Sequence, residues 1–460
     1  MLAIKNNINK TLIFFLLAHL FIWTLIPSIS NTNLPLDTIE ALAWGTNLDW
    51  GYSKHPPFSA WVVEFFYQIF GNQDWAYYFL SQLFVVITFF IIFKFSEEFF
   101  KNKIFSLMSV LLLEGIYFYN FTTPEFNVNV CQLPFWALTV YYCWKGIKEK
   151  EVSNWLLFGL FAACGVLSKY LFIYLLVAID IFFIYLISTK KFNYKSLVSI
   201  VSFFIILSPH IVWLFDNNFT TFAYAFKRTG LETAQFLDHI YNPAIFLAKQ
   251  IGILIPFFLM LSFVMIKFKI TFNLKDKRLL FLLIVNVIPI LLMLLTSLIT
   301  GAKLRTMWMT PFYLFIGVLF VYIFQKSFSL SRIKYFFSIF LVLFIFSPAT
   351  YFYISITQDD KRTDYPGKAI SQAVQKKWED NFSNQIGVAG GNEWHAGNLS
   401  YHLKSRPIWD NIFESGSITL PKNDEDGFVF IGDEDILLKI CNGIFFKFQN
   451  QGICMIGKKK

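Results

Sequence analysis

The sequence predicts a polytopic α-helical membrane protein with a C-terminal soluble α/β domain, and two observations support this fold class. The chain has 460 residues, of which 56% are hydrophobic and 20% aromatic, whereas soluble globular proteins are usually about 45–50% apolar. Apolar runs of about 20 residues, long enough to cross a bilayer, recur from the N-terminus to about residue 354. Because these runs do not alternate between apolar and polar residues, a transmembrane β-barrel is disfavoured.

The apolar runs predict about 11 membrane spans, with an upper count of about 13. The first run follows Lys5 and Lys10 and could pass for a signal peptide, but it lacks a small-x-small cleavage site and is interpreted as a retained span. Segment 58–71 is too short to cross and is expected to lie in the interface or to re-enter the membrane. The predicted spans are 11–29, 74–95, 104–122, 128–145, 155–168, 170–188, 197–215, 243–266, 279–299, 307–324 and 335–354.

Basic residues between the spans predict the orientation. With a cytoplasmic N-terminus, every loop expected to face the cytoplasm is rich in lysine, as the positive-inside rule requires. The net charge of +9 therefore reflects membrane topology, and it gives no reason to expect nucleic acid as a partner. The basic clusters are Lys94, Lys101 and Lys103; Lys145, Lys148 and Lys150; Lys190, Lys191 and Lys195; Lys267, Lys269, Lys275, Lys277 and Arg278; and Lys326, Arg332 and Lys334.

A change in composition predicts two domains, a transmembrane domain over 1–355 and a small α/β domain over 356–460 on the outer side. The second domain holds many of the Asn, Gly and acidic residues and is large enough for one core. Cys441 and Cys454 lie in it and could pair in an oxidising compartment. Its predicted elements are helices at 367–380, 394–403 and 434–441, strands at 385–389, 427–432 and 444–456, and a turn at 390–391.

Carboxylates in the predicted outward loops are the candidate catalytic residues. Asp37 and Glu40 lie in the first outward loop, 30–73, and their spacing places them on one face of a short amphipathic helix. A carboxylate at the membrane face could act as a general base on an acceptor hydroxyl, although Asp37 could instead be a helix N-cap. Glu125, in the second outward loop, could close the site from a neighbouring helix or be an ordinary interfacial acid.

Cations in the same loops are the candidate phosphate ligands. Lys54 and His55 precede two prolines that fix the backbone, and cations at headgroup depth suit a phosphate; the alternative is a lysine that snorkels to the interface. Lys169 lies at a turn between two short spans, at shallow membrane depth. The remaining outward cations, which could bind a lipid phosphate or contact anionic headgroups, are Arg228, Lys303 and Arg305.

Missing motifs narrow the class of enzyme. The sequence contains no GxxxxGK[ST], HExxH or GxGxxG motif, which disfavours an ATPase, a zincin and a dinucleotide-dependent enzyme. A transferase that faces outward needs a donor already across the bilayer. A polyprenyl-phosphate sugar meets that need, because its tail can lie between helices while its phosphate meets the cations.

Two other classes remain open. Glu114 and Asp180 lie near the middle of spans, where ionisable residues could pair inside the bundle or relay protons in a transporter or flippase of lipid-linked sugars. A structural membrane scaffold would account for the C-terminal domain but not for the clustered charges of the first outward loop.

The first outward loop also carries an ordered set of motifs. Together with later motifs, over about residues 11–325, it resembles the membrane glycosyltransferases of the GT-C class, in the branch of protein O-mannosyltransferases and lipid A aminoarabinose transferases (glycosyltransferase family 39 and 83 type). The first motifs are Asp37-Thr38-Ile39-Glu40-Ala41, Trp44-Gly45, Leu48-Asp49-Trp50-Gly51-Tyr52 and Lys54-His55-Pro56-Pro57. The later ones are Thr123-Pro124-Glu125, residues 165–170, Ser208-Pro209 with Trp213, and Gly301-Ala302-Lys303 with Trp308.

The resemblance implies roles for single residues. It implies that Asp37 is the base, that Lys54 or His55 meets the donor phosphate, and that Glu125 belongs to the site. Many members carry an adjacent Asp-Glu pair, whereas here Glu40 comes three residues after Asp37; where the family has Lys before the prolines, this chain has His55. Some members bind a divalent metal near this loop, and no ligand set is assigned here.

The expected function follows from this resemblance. We expect a glycosyltransferase of the bacterial inner membrane that moves a sugar from a polyprenyl-phosphate donor to lipid A, lipopolysaccharide or another envelope acceptor on the periplasmic face, with inversion at the anomeric carbon. A protein acceptor is the alternative within the same class. Membrane lipids are the remaining expected partners.

Overall fold

The computed structural model describes residues 7–266, 270, 272–329, 331–411 and 425–460. Within this part of the chain, seven helices are long and apolar enough to cross a membrane, or eight if Thr306–Tyr313 and Ile316–Phe324, which meet at 52°, form one bent span. These helices confirm the predicted fold class. Lys267 and Lys269 of the predicted basic loops lie outside the described residues. The seven are Ile8–Ser30, Asp74–Glu97, Tyr170–Ser188, Tyr194–Asp216, Asp238–Val264, Lys277–Thr300 and Ile333–Thr357.

Three of the predicted spans are helical but shorter or interrupted. The span predicted at 128–145 corresponds mainly to helix Leu133–Glu149, and the span predicted at 155–168 corresponds to helix Val152–Ser168. Each of these two helices has 17 residues. The span predicted at 104–122 is broken, because helix Lys103–Leu111 gives way to 3-10 turns. At Gly115 in this break a Cβ would lie only 2.7 Å from backbone atoms of Phe257. The close approach of a neighbouring helix thus accompanies the loss of regular α-helix.

Two short helices lie between the first and second long helices, as the sequence predicts. Helix Leu36–Gly45 buries an apolar face that includes Ile39 and Leu42, and helix Phe58–Phe70 packs across its C-terminal end. A Cβ on Gly45 would lie 2.9 Å from Glu64 Cβ, so the crossing requires a glycine there. The two helices therefore form one compact unit.

The loop between these two helices is fixed to the long helix that ends at Asp216. Trp213 donates its indole N–H to Asp49 Oδ2 (2.8 Å), and His210 Nδ1 lies 2.6 Å from the carbonyl oxygen of Trp50. A Cβ on Gly51 would fall 2.4 Å from the Trp213 ring. The Asp-Trp-Gly part of the motif is thus a structural anchor that holds the residues on either side of it.

The C-terminal region forms a five-stranded sheet with the order β2-β1-β3-β5-β4. β1 pairs in parallel with β2 and β3, whereas β5 pairs antiparallel with β3 and β4. Residues on its helices and strands, including Trp378, Val429 and Ile453, form a hydrophobic core that continues into the short helices through Trp44 and Ala60. The strands are β1 Val388–Gly390, β2 Ile408–Asp410, β3 Phe428–Gly432, β4 Ile444–Phe448 and β5 Gln451–Ile456; the helices are Gly367–Asn381, His395–His402 and Glu434–Ile440.

The structure corrects several predicted elements of this region and adds β2. The single strand predicted at 444–456 is a hairpin, and Gln449 in its turn has a positive φ of 51°. The turn predicted at 390–391 begins one residue too early, because Gly390 ends β1, where a Cβ would meet the Phe430 ring at 2.3 Å. A disulfide joins Cys441 to Cys454, a pairing that the sequence left open. Residues 412–424 of the predicted domain lie outside the described residues.

The C-terminal region is fixed to the two short helices by a partly buried arginine. Arg406 donates to the Leu42 carbonyl oxygen and to Glu64 Oε2, both at 2.7 Å. Its guanidinium lies 4.1 Å from the centre of the Tyr67 ring. Next to it, the Trp409 N–H donates to Thr46 Oγ1 (2.9 Å). The sheet thus contacts the helix that carries the two candidate carboxylates.

Replacing this arginine tests the contact. We expect Arg406→Ala to lower the free energy of unfolding by about 3–5 kcal/mol, because Glu64 would be left buried without its cation. Thermal unfolding of the detergent-solubilised protein measures the change, and limited proteolysis reports whether the C-terminal region has come loose. The control is Lys404→Ala, which removes an exposed ion pair with Glu379 and should change little. Equal stability of the two variants would contradict the role given to Arg406.

Candidate active site

A cavity of about 460 Å³ lies where the first short helix and the loop after it meet other predicted outward loops and the segment after the last long helix. Seven of the nine predicted site residues line it, although they come from segments far apart in the sequence. The exceptions are Glu125 and Lys303, which are absent from its lining. The predicted residues that line it are Asp37, Glu40, Lys54, His55, Lys169, Arg228 and Arg305, and they are joined by Asn129, Tyr170, Thr221, Tyr224, Trp308 and Arg362, among others.

Helix Leu36–Gly45 carries both candidate carboxylates into the cavity. Asp37 lies in its first turn, where a negative charge is favoured by the helix dipole. It is not the N-cap residue, because Pro35 occupies that position. The Asp37 N–H instead donates to Glu125 Oε1 (3.0 Å). Glu125 therefore satisfies a free backbone donor at the helix start and holds the turn that presents Asp37.

Glu125 faces a second, smaller cavity. This space has a volume of about 300 Å³ and shares Asn129 and Met307 with the larger one. Closure of the site by Glu125 from a neighbouring helix stays a prediction, because Glu125 does not line the larger cavity. Its observed contact, however, is with the backbone of the residue predicted to be the base.

Lys54 is held between two carboxylates. Its Nζ lies 3.0 Å from Glu40 Oε1 and 2.9 Å from Glu393 Oε1, and all three side chains are largely shielded from solvent. These contacts replace the predicted alternative of a snorkelling lysine. Glu393 belongs to the turn that follows β1 and was not among the predicted residues. The ammonium group therefore has a fixed position at the edge of the cavity.

Lys169 is the buried cation of the site. Its Nζ donates to Asn129 Oδ1 (2.5 Å) and lies 5.4 Å from the centre of the Trp308 ring. Burial lowers the pKa of Lys169 to about 7, and the Asp37 carboxylate partly opposes this change. The lysine thus lines the same cavity as Asp37 and interacts electrostatically with its carboxylate.

Burial also changes the protonation of the carboxyl groups. Desolvation raises the pKa of Asp37, although four cations, among them Lys169 and Arg362, oppose it. The pKa of Glu40 rises to about 7, chiefly through burial, with Lys54 opposing. Burial likewise raises the pKa of Glu125. These shifts bring the acids closer to the range in which a side chain can exchange a proton at neutral pH.

The pKa of His55 changes in the opposite direction. Burial, together with the charges of Lys169, Lys54 and Arg228, lowers the pKa of His55 to about 3. The imidazole is therefore uncharged at neutral pH. Of the two predicted phosphate ligands before the proline pair, Lys54 supplies charge, whereas His55 can supply only a neutral hydrogen-bonding group.

Three arginines line the more exposed part of the cavity. Arg228 and Arg305 were predicted, and both are exposed to solvent. Arg362 was missed, because it lies in the polar segment after the last long helix, among other charged residues that gave no motif. Lys303 is exposed and its backbone N–H donates to the Thr229 carbonyl oxygen (3.0 Å). Lys303 is therefore close to Arg228 and Arg305, but it does not line the cavity.

The acids that suggested transport lie elsewhere. Glu114 Oε1 lies 2.6 Å from His19 Nδ1, and both side chains are buried. Asp180 lies on helix Ile173–Ser188 and is exposed. Neither acid lines the cavity. Across residues 7–266, 270, 272–329, 331–411 and 425–460, no group of three or more His, Cys, Asp or Glu side chains is arranged to hold a metal ion.

Known proteins are similar to this chain in sequence over only part of its length. Residues 54–213 match the model of the family described as dolichyl-phosphate-mannose-protein mannosyltransferase. A curated relative, the undecaprenyl phosphate-alpha-4-amino-4-deoxy-L-arabinose arabinosyl transferase of Wigglesworthia glossinidia brevipalpis, is 28% identical over 151 residues, which are 31% of this chain and 26% of the relative. The match thus spans about a quarter of that relative's length.

The similarity of fold extends over nearly the whole chain. The crystal structure of ArnT from Cupriavidus metallidurans bound to undecaprenyl phosphate aligns with a TM-score of 0.67 and 11% identity, covering 97% of this chain and 98% of that one. The apo state aligns with a TM-score of 0.63 and 12% identity over the same shares. The chain has the ArnT fold. This finding confirms the fold that the GT-C resemblance implied, including the C-terminal region.

The raised pKa of Glu40 gives a prediction that needs no substrate. Infrared difference spectra of the wild type and Glu40→Gln should show a carboxylic acid band that is lost as the pH rises through about 7. In Lys54→Gln the band should persist to higher pH, because the cation that favours the carboxylate is absent. The folded-state pKa lies above the usual value, so the stability contributed by this group is highest at acid pH and falls as the pH rises to 7. A band lost near pH 4.5 would contradict this assignment.

Proposed function

We propose that this chain is a glycosyltransferase that moves a sugar from a polyprenyl-phosphate donor to an acceptor hydroxyl. One observation carries the proposal: a single cavity joins the carboxylate of Asp37 with five cationic side chains. An anionic leaving group and an acceptor that must lose a proton need these two kinds of group side by side. The cations are Lys54, Lys169, Arg228, Arg305 and Arg362.

The similar proteins support this class of donor. Their names refer to dolichyl phosphate and undecaprenyl phosphate, both of which are polyprenyl-type lipid phosphates. In the present chain the cavity is bordered by aromatic side chains such as Trp308 and Tyr224 and lies at the end of the candidate span Tyr170–Ser188. A lipid phosphate could therefore bring its charged group to the cations while its tail stays in an apolar medium.

In the proposed reaction, Asp37 takes the proton from the acceptor hydroxyl as the oxygen attacks the anomeric carbon. The bond between that carbon and the donor phosphate breaks, and the lipid phosphate leaves with the electron pair. The cations stabilise the negative charge that develops on it. Because attack and departure take place on opposite faces of the sugar, the anomeric configuration is inverted. Glu125 contributes by holding the first turn of the Asp37 helix.

The proposed place of the reaction is the periplasmic face of a bacterial inner membrane, with the N-terminus in the cytoplasm. Four predicted outward segments meet at the cavity, which supports a common side for them. We propose lipid A, lipopolysaccharide or another lipid-linked envelope glycan as acceptor. A protein acceptor of the same class is the second candidate. Comparing the masses of lipid A and surface glycans in cells with and without this chain decides between them.

The decisive variant is Asp37→Asn. We expect it to lower transfer from an undecaprenyl-phosphate sugar by about two to four orders of magnitude, because the amide cannot accept the acceptor's proton. Transfer is measured with the purified protein in nanodiscs as released undecaprenyl phosphate. The matched control is Asp359→Asn, which neutralises an exposed aspartate after the last long helix and should leave the rate unchanged. Full activity of Asp37→Asn would remove this residue from the mechanism.

A further inference from the structure

The turn after β1 joins the C-terminal sheet to the cavity. At Gly391 the backbone has a φ of +145°, and a Cβ there would lie 2.5 Å from the Ile431 carbonyl oxygen. Two residues later, Glu393 is 7% exposed and reaches Lys54. Between them, Asn392 Oδ1 accepts the His395 N–H (2.8 Å). The close packing at Gly391 and the hydrogen bond between Asn392 and His395 therefore fix the turn before and after Glu393.

The position of this turn fits a functional edge of the sheet. β1 is parallel to both of its neighbours, and the loops that follow parallel strands are where α/β proteins place functional side chains. The helix that follows the turn, His395–His402, packs on helix Leu36–Gly45. Two separate elements of the C-terminal region, this helix and Arg406, thus fix the distance between Glu393 and the site.

We propose that Glu393 is a positioning residue that holds Lys54 at the cavity and offsets part of its charge. This inference rests on the proposed function, in which Lys54 meets the donor phosphate. An ammonium group has three N–H donors. With Glu40 and Glu393 each engaging Lys54, one donor remains for a phosphate oxygen, and its direction is set by the two carboxylates.

The second carboxylate also changes the strength of phosphate binding. Lys54 with Glu40 and Glu393 carries one net negative charge when all three are ionised, whereas Lys54 with Glu40 alone is neutral. An anionic phosphate is therefore attracted less strongly in the presence of Glu393. Weaker attraction is useful in a cavity lined by five cations, because the departing lipid phosphate must also be released.

The variant Glu393→Gln separates the two effects. We expect undecaprenyl phosphate to bind about three- to tenfold more tightly, because a negative charge has been removed near its site. We expect kcat for sugar transfer to fall by about three- to tenfold, because Lys54 is less well oriented and release is slower. Binding is measured by the quenching of intrinsic tryptophan fluorescence on titration with undecaprenyl phosphate. A residue with a merely structural role would weaken binding and turnover together, so weaker or unchanged binding overturns the proposal.

Two further variants make the test specific. Glu434→Gln removes a carboxylate of the same sheet region that pairs with the exposed Lys447, and it should change neither quantity. In Lys54→Gln, adding Glu393→Gln should lower kcat by less than it does in the wild type, because the proposal routes the orientation effect through the lysine. An equal fall of kcat with and without Lys54 would overturn it.

Two further experiments distinguish failure of this inference from failure of the proposed function. If Glu393→Gln does not fold, Glu393→Asp keeps the charge on a shorter side chain, so undecaprenyl phosphate should bind as in the wild type while kcat falls; wild-type kcat would overturn the proposal. If the wild type transfers no sugar, the proposed function fails, and a double-mutant cycle of Lys54→Gln and Glu393→Gln on thermal unfolding still tests the contact. A coupling of zero there would overturn the inference alone.

Discussion

The helix Leu36–Gly45 is the element on which the site depends, and side chains from distant parts of the chain fix both of its ends. Glu125 accepts a backbone N–H in its first turn, and Arg406 donates to a carbonyl oxygen in its last turns. A helix of 10 residues has little stability of its own. Its position therefore depends on these contacts and on the burial of residues such as Ile39. The same contacts thus determine where Asp37 and Glu40 lie.

Charge balance is the second constraint on the cavity. Burial alone favours neutral side chains, and it changes the pKa of Glu40 and Lys169 towards 7 from opposite directions. The cations lower the cost of ionising Asp37, and the carboxylates lower the cost of keeping Lys54 charged. Each group thus depends on its neighbours for its protonation state. Removing one charge is expected to alter several others, so effects of neighbouring substitutions will not simply add.

The sequence predicted the helical membrane fold and most of the cavity, because hydropathy and the charges of the outward loops are local signals. It grouped Asp37 and Lys54 because their motifs lie close together in the chain, and both line the cavity. It missed Glu393 and Arg362, since neither lies in a motif and both reach the site only through the packing of the C-terminal region. It also interpreted one hairpin as a single strand, because a turn without glycine or proline at Gln449 gives no strong signal.

The distribution of exposure within the cavity suits a substrate with one charged group and one reacting hydroxyl. Lys169 and the carboxylates are shielded, whereas Arg228, Arg305 and Arg362 are exposed. Guanidinium groups are weakly hydrated and bind phosphate in a bidentate manner, so a phosphate can replace their water at little cost. Proton transfer, by contrast, benefits from a shielded site, where fixed charges act more strongly than in water. The exposed arginines at the rim therefore suit the lipid phosphate. The shielded end of the cavity favours deprotonation of the acceptor.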